Sequence, residues 1–138
     1  MSDQFTLQCK ATPTDLAQLL SLVDSFGQGQ GWTAHALSQV RLVLEELVVN
    51  IVSYGSQDGQ APELAVSLAQ QGQVLDMVIS DNGVAFDPLQ ATAPDLNADL
   101  DHRPVGGLGI FLVTELADTV RYQREGAWNR LWVSLSLR

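Results

Sequence analysis

Basic residues are scarce in this chain: seven Lys and Arg stand against sixteen Asp and Glu in 138 residues, for a net charge of −9. With no Lys/Arg cluster to displace counterions from phosphates, nucleic acid is not an expected partner. A basic protein surface suits the charge better. Cysteine occurs once, at Cys9, so no internal disulfide can form and a cytoplasmic location is the expectation. Nothing near Cys9 would activate it, and it reads as a small strand residue. Long apolar runs are missing as well. Arg41, Glu45, Glu46 and Asn50 interrupt the most apolar stretch, far short of the roughly 20 residues a membrane span needs. The N-terminus lacks a basic-then-apolar leader, so no membrane association is expected. His35 and His102 have no Cys or His neighbours, which argues against zinc, and no Ser lies in a nucleophile elbow.

What is present fits one domain over 1–138, with 46% hydrophobic residues to build a core. Phe5, Leu7 and Cys9 alternate with polar residues and predict a strand. Thr14 is the expected cap of a helix over Leu16 to Phe26, stopped by Gly27 to Gly31, and a second helix is expected from Thr33 to Tyr54. Arg41 is expected to pair with Glu45 at i, i+4. Strands follow at Glu63 to Gln70 and Gln73 to Ser80 around a Gln71-Gly72 turn. Asp81 to Val105 has no sustained period and holds Pro88, Pro94 and Pro104, the pattern of a lid-like loop. A helix from Gly107 to Ala117 precedes strands at Thr119 to Gln123 and Trp128 to Leu137, joined through Glu125-Gly126. The expected fold is a two-layer α/β (α+β) sandwich, with about five strands in a mixed, mostly antiparallel sheet and about three helices on one face. Trp32, Trp128 and Trp132 are expected in packing or an interface.

Three segments could carry chemistry. On the second helix, Leu44, Leu47, Val48, Ile51 and Val52 form the core stripe, while Glu46, Asn50 and Ser53 share another arc bordered by Val43 and Val49. That arc fits a solvated face, and equally a polar lining in an apolar cleft. An amide oxygen such as that of Asn50 suits Mg2+, which takes one or two protein oxygens and the rest from phosphates and water. A carboxylate one turn away, Glu46, could then orient or deprotonate an attacking hydroxyl. Asp81-Asn-Gly83 ends a buried strand. It fits an ordinary turn, or an acid accepting from an exocyclic amine such as that of adenine, with Gly83 letting a flat group approach the backbone. Phe86, Asp87 and Pro88 read as anchors for the start of the loop. Gly106-Gly107-Leu108-Gly109 opens an apolar helix. It fits a hinge, or a phosphate cradle at a helix N-terminus, and matches neither a Walker A nor a Rossmann pattern.

Glu46-x-x-x-Asn50, Asp81-x-Gly83 and Gly107-x-Gly109, in that order around a lid-like loop, resemble the N, G1 and G2 boxes of the GHKL, or histidine-kinase-like, ATPases. Length and Arg103-Pro-Val-Gly-Gly-Leu-Gly-Ile110 are most similar to the stand-alone anti-sigma-factor serine/threonine kinases of bacterial partner switching. The resemblance implies ATP and Mg2+ as cofactors, with Glu46 as general base, Asn50 on magnesium and Asp81 with Gly83 at adenine. It implies phosphate contacts around Gly106, Gly107, Leu108 and Gly109, helped by Arg103. It further implies a serine of an anti-anti-sigma (STAS-type) antagonist as substrate, a sigma factor as a second partner, and a homodimer as a common assembly. The alternative is an ATP-binding regulatory module that sequesters a protein partner with little or no turnover. Ser53 stands where several relatives carry His, and the Thr that many place near adenine is not evident in the last strands.

Overall fold

The computed structural model describes residues 3–90 and 107–138, with side chains undescribed at 107 and 108. Five strands form one sheet in the order β1-β2-β3-β5-β4: β1 Gln4–Lys10, β2 Glu63–Gln71, β3 Val74–Asp81, β4 Thr119–Glu125 and β5 Trp128–Ser136. Every pairing is antiparallel, so the sheet contains no parallel pair among the described residues. Three helices, α1 Pro13–Gln30, α2 Ala34–Tyr54 and α3 Gly107–Leu116, complete the α+β sandwich. No helix among the described residues is long and apolar enough to cross a membrane.

Alternation in the strands sets the inner face. Leu64, Val66 and Leu68 of β2, Leu75, Met77 and Ile79 of β3, and Leu131, Val133 and Leu135 of β5 are all buried, as a period of two requires. They meet Val40, Val43, Leu44, Leu47 and Val48 of α2 and Leu19 and Val23 of α1. On the outer face Arg121 lies 4.1 Å over the Trp132 ring, and Arg130 pairs with Glu125 at 2.8 Å.

Several local expectations are corrected. Thr12, not Thr14, caps α1 and accepts from the Asp15 N–H at 3.1 Å, because Pro13 fixes the first helical position and holds the residue before it extended. Gly27 does not stop the helix. A Cβ there would stand 2.5 Å from Trp32 Cε3, so the glycine makes room for the indole, and the stop is Gly31 at φ +78°. Arg41 pairs with Asp24 of α1 rather than with Glu45, a tertiary partner displacing a local one. The hairpin turns are Gly72-Gln73 and Gly126-Ala127, one residue later than expected, with positive φ at the glycine that opens each turn.

Candidate functional site

The C-terminal half of α2 passes over the ends of β3 and β5, and the space between them is a cleft. Leu47 and Ile51 from the helix face Ile79 and Leu131 from the sheet, a pair of apolar walls suited to a flat ring. At the mouth, Tyr54 stacks on Phe86, with ring centroids 5.0 Å apart and planes inclined by 20°. Phe86 and Pro88 thus line the cleft as well as opening the loop, more than the anchoring expected of them.

The polar end of the cleft is built around Asp81, whose register partner on β5 is Asn129. Both are buried, at 5% and 6% exposure, and buried polar groups need partners. Asp81 Oδ1 accepts from the Gly83 N–H at 2.9 Å and from Asn129 Nδ2 at 3.0 Å. Burial pushes the Asp81 pKa above the ordinary carboxylate range, opposed by the Asn129 and Gly83 hydrogen bonds and by the nearby Arg124 guanidinium. Arg124 Nη1 donates to the Gly83 carbonyl at 2.9 Å, tying the Asp81-Asn-Gly83 loop to β4. A Cβ on Gly83 would lie 2.9 Å from Gly55 Cα, and the Val84 N–H donates to the Gly55 carbonyl at 3.2 Å. Glycine is therefore required where the loop crosses the end of α2.

Asn50 projects from α2 into the same cleft and is 5% exposed. That burial decides between the two readings of its helix arc, and Asn50 lines a cleft rather than a solvated face. Glu46 sits one turn earlier, half-buried and against the first turn of α3. A Cβ on Gly109 would fall within its carboxylate, 2.9 Å from Cδ. The structure thus brings Glu46, Asn50, Asp81, Gly83 and Gly109 along one side of α2, with Gly107 at the α3 N-terminus. Arg103 and Gly106 lie outside the described residues, as does most of the expected lid over 81–105, and the Leu108 side chain is undescribed.

The sequence of residues 9–135 matches the histidine kinase-like ATPase domain. The chain belongs to that family. Within it, the chain is 31% identical over 126 residues to the serine/threonine-protein kinase BtrW of Bordetella bronchiseptica, covering 91% of this chain and 89% of that one. It is 28% identical over 131 residues to the serine-protein kinase RsbW of Listeria monocytogenes, covering 91% and 83%. Among solved structures, the RsbU and RsbW domains of Rv1364c from Mycobacterium tuberculosis superpose with a TM-score of 0.70 at 13% identity, over 97% of this chain and 32% of that one. That likeness supports the histidine kinase-like fold, and this chain spans about a third of that protein.

Sequence reasoning missed Asn129, Tyr122 and Tyr54 in the cleft of this histidine kinase-like domain. Asn129 had a legible signal. It is in phase with Leu131, Val133 and Leu135 on β5, and a polar residue at an inward strand position calls for a buried partner. The residue beside Asp81 is this asparagine rather than a threonine.

Proposed function

We propose that the chain is an ATP-dependent protein serine/threonine kinase of the anti-sigma type, acting on a serine of a STAS-type antagonist. The observation that carries this reading is the order of groups along α2: Asp81 at one end of an apolar slot, the buried Asn50 amide next, and Glu46 against Gly109 at the start of α3. From Tyr54 to Glu46 the helix rises about 12 Å, the scale of an extended nucleotide. The names of the relatives that match most of the chain, serine and serine/threonine kinases, support the same activity.

In this account the adenine ring lies between Leu47 and Ile51 on one side and Ile79 and Leu131 on the other. Asp81 accepts from its exocyclic amine, and Gly83, packed against Gly55, holds the Asp81 loop at the end of α2. The buried Asn50 oxygen fits magnesium, since a neutral amide oxygen is a hard ligand. Bound there, magnesium would neutralise phosphate charge. The free N–H groups of the first turn of α3, around Gly107 and Gly109, face phosphate oxygens with the favourable end of the helix dipole, and Gly106, Leu108 and Arg103 are proposed as further phosphate contacts. Glu46 accepts the proton of the substrate serine as its oxygen attacks the terminal phosphorus and the bond to the ADP oxygen breaks. A sigma factor is the second proposed partner, a homodimer the proposed assembly, and the cytoplasm the proposed location.

The test is to mix the protein with ATP, magnesium and the antagonist from the same genome and analyse the antagonist by mass spectrometry. Phosphoserine that requires both ATP and magnesium is expected. ATP binding and partner capture with no phosphoserine would replace the kinase by a sequestering module.

A further inference from the structure

Asn129 uses all four of its hydrogen-bonding positions, and they reach separate parts of the cleft. Nδ2 donates to Asp81 Oδ1 at 3.0 Å and to the Val84 carbonyl at 2.9 Å. Oδ1 accepts from the Tyr122 hydroxyl and from the Phe86 N–H at 3.3 Å. Rotating the amide would set its oxygen against a carboxylate and a carbonyl, so the network admits one orientation. Burial and the neighbouring Asp87 and Asp81 carboxylates push the Tyr122 pKa up, against Arg124 and the Phe86 N–H, so the hydroxyl remains a donor. No shorter or similar side chain does the same work. Asp would set a second carboxylate against Asp81, and Thr or Ser offers one donor where Asn offers two.

The consequence falls on Asp81. Its Oδ1 is occupied by Gly83 and Asn129, while Oδ2 bonds to no other described residue in a side chain that lines the cleft. An ionised carboxylate only accepts. A purine with an amine at C6 can donate to it, whereas a 6-oxo purine turns an oxygen toward it, leaving two acceptors opposed. We infer that Asn129 is a specificity-determining positioning residue: by pinning Oδ1 of Asp81 it presents Oδ2 as a fixed acceptor, which selects 6-amino over 6-oxo purine nucleotides. The inference rests on the nucleotide reading above and adds which side chain sets the choice of base. The same hydrogen bond opposes the rise that burial imposes on the Asp81 pKa.

The test is titration calorimetry with magnesium and either ADP or inosine diphosphate, on the wild-type chain, Asn129→Ala, Asn129→Thr and Asp81→Asn. The wild type is expected to prefer ADP by at least about tenfold. Asn129→Ala should lose most of that preference through weaker ADP binding with little change for inosine diphosphate, and Asn129→Thr should fall between. On the Asp81→Asn background, Asn129→Thr should leave the ratio unchanged, since the two residues act as a unit. If Asn129→Ala does not fold, Asn129→Thr and the double variant carry the test. Parallel weakening of both nucleotides in the Asn129 variants would overturn the inference and assign the residue a structural role. Equal binding of both nucleotides by the wild type would also overturn it. A wild type that binds neither nucleotide would instead overturn the nucleotide reading itself.

Discussion

The carboxylate of Glu46 lies so close over Gly109 that a methyl group on the glycine would take its place, with the Glu46 Cδ 2.9 Å and Cβ 3.4 Å from the new carbon. Two segments 63 residues apart in sequence meet there: the middle of α2 and the first turn of α3. The atom in the way is the end of a flexible side chain, so Gly109→Ala is expected to be tolerated. Its stability should stay within about 1 kcal/mol, because alanine also favours the helix. Displaced from its place, Glu46 should no longer reach the acceptor hydroxyl, and turnover should drop by about tenfold or more at nearly unchanged ADP affinity. Thermal melts beside a phosphoryl-transfer assay check both halves, and unchanged turnover would count against the role given to Glu46.

Gly83→Ala makes the opposite case. The obstacle there is backbone: a Cβ would press on the Gly55 carbonyl and stand 2.9 Å from Gly55 Cα, and neither can swing aside. A loss of about 1–3 kcal/mol is expected, the usual cost of overpacking, read as a lower midpoint in urea. An unchanged midpoint would show that the loop can shift away from α2.

These contrasts show what the sequence could and could not disclose. Periodicity placed Glu46 and Asn50 on one arc of α2, but only the packed sheet decides that Asn50 is buried, at 5% exposure, rather than solvated. The boxes Asp81-Asn-Gly83 and Gly107-Leu-Gly109 are local and were legible as patterns. Asn129 is legible as a polar residue at an inward strand position, but its partner is not local: it meets Asp81 across 48 residues. Arg41 illustrates the same limit, since its partner Asp24 lies on another helix and outcompetes the Glu45 that helical spacing offers. The cap at Thr12 was within reach, because Pro13 marks a first helical position more strongly than Thr14 marks a cap.

Asp81 should make binding and stability respond to pH in opposite senses. Its folded-state pKa is raised, chiefly by burial, so the folded chain holds its proton more tightly than the unfolded one. Stability contributed by this group is therefore greatest at acid pH and falls as pH rises from the unfolded carboxylate value through the folded one. Adenine nucleotide affinity should fall in the other direction, as pH drops through the folded value and the acceptor is lost. Asp81→Asn should remove both dependences: the variant should be at least as stable as wild type at neutral pH and bind ADP more weakly, with no preference for it over inosine diphosphate. Denaturation curves and calorimetry at a series of pH values would show it, and a variant less stable than wild type at neutral pH would contradict the sign.

Asn50→Ala removes the amide oxygen proposed for magnesium and leaves Asp81 and the apolar walls of Leu47, Ile51, Ile79 and Leu131 in place. ADP binding in the presence of chelator should be close to wild type, while the gain in affinity on adding magnesium should shrink by about tenfold, one charge-assisted contact. A full magnesium effect in the variant would assign the metal to other ligands.

The proposed activity needs one cleft to bind ATP and Glu46 to carry the transfer. Single-turnover transfer from labelled ATP to the antagonist, measured for wild type and Glu46→Ala at saturating nucleotide, addresses it most directly. A rate lower by about 10²–10⁴ is expected in the variant, with ATP binding intact. A variant that phosphorylates the antagonist at the wild-type rate would contradict it.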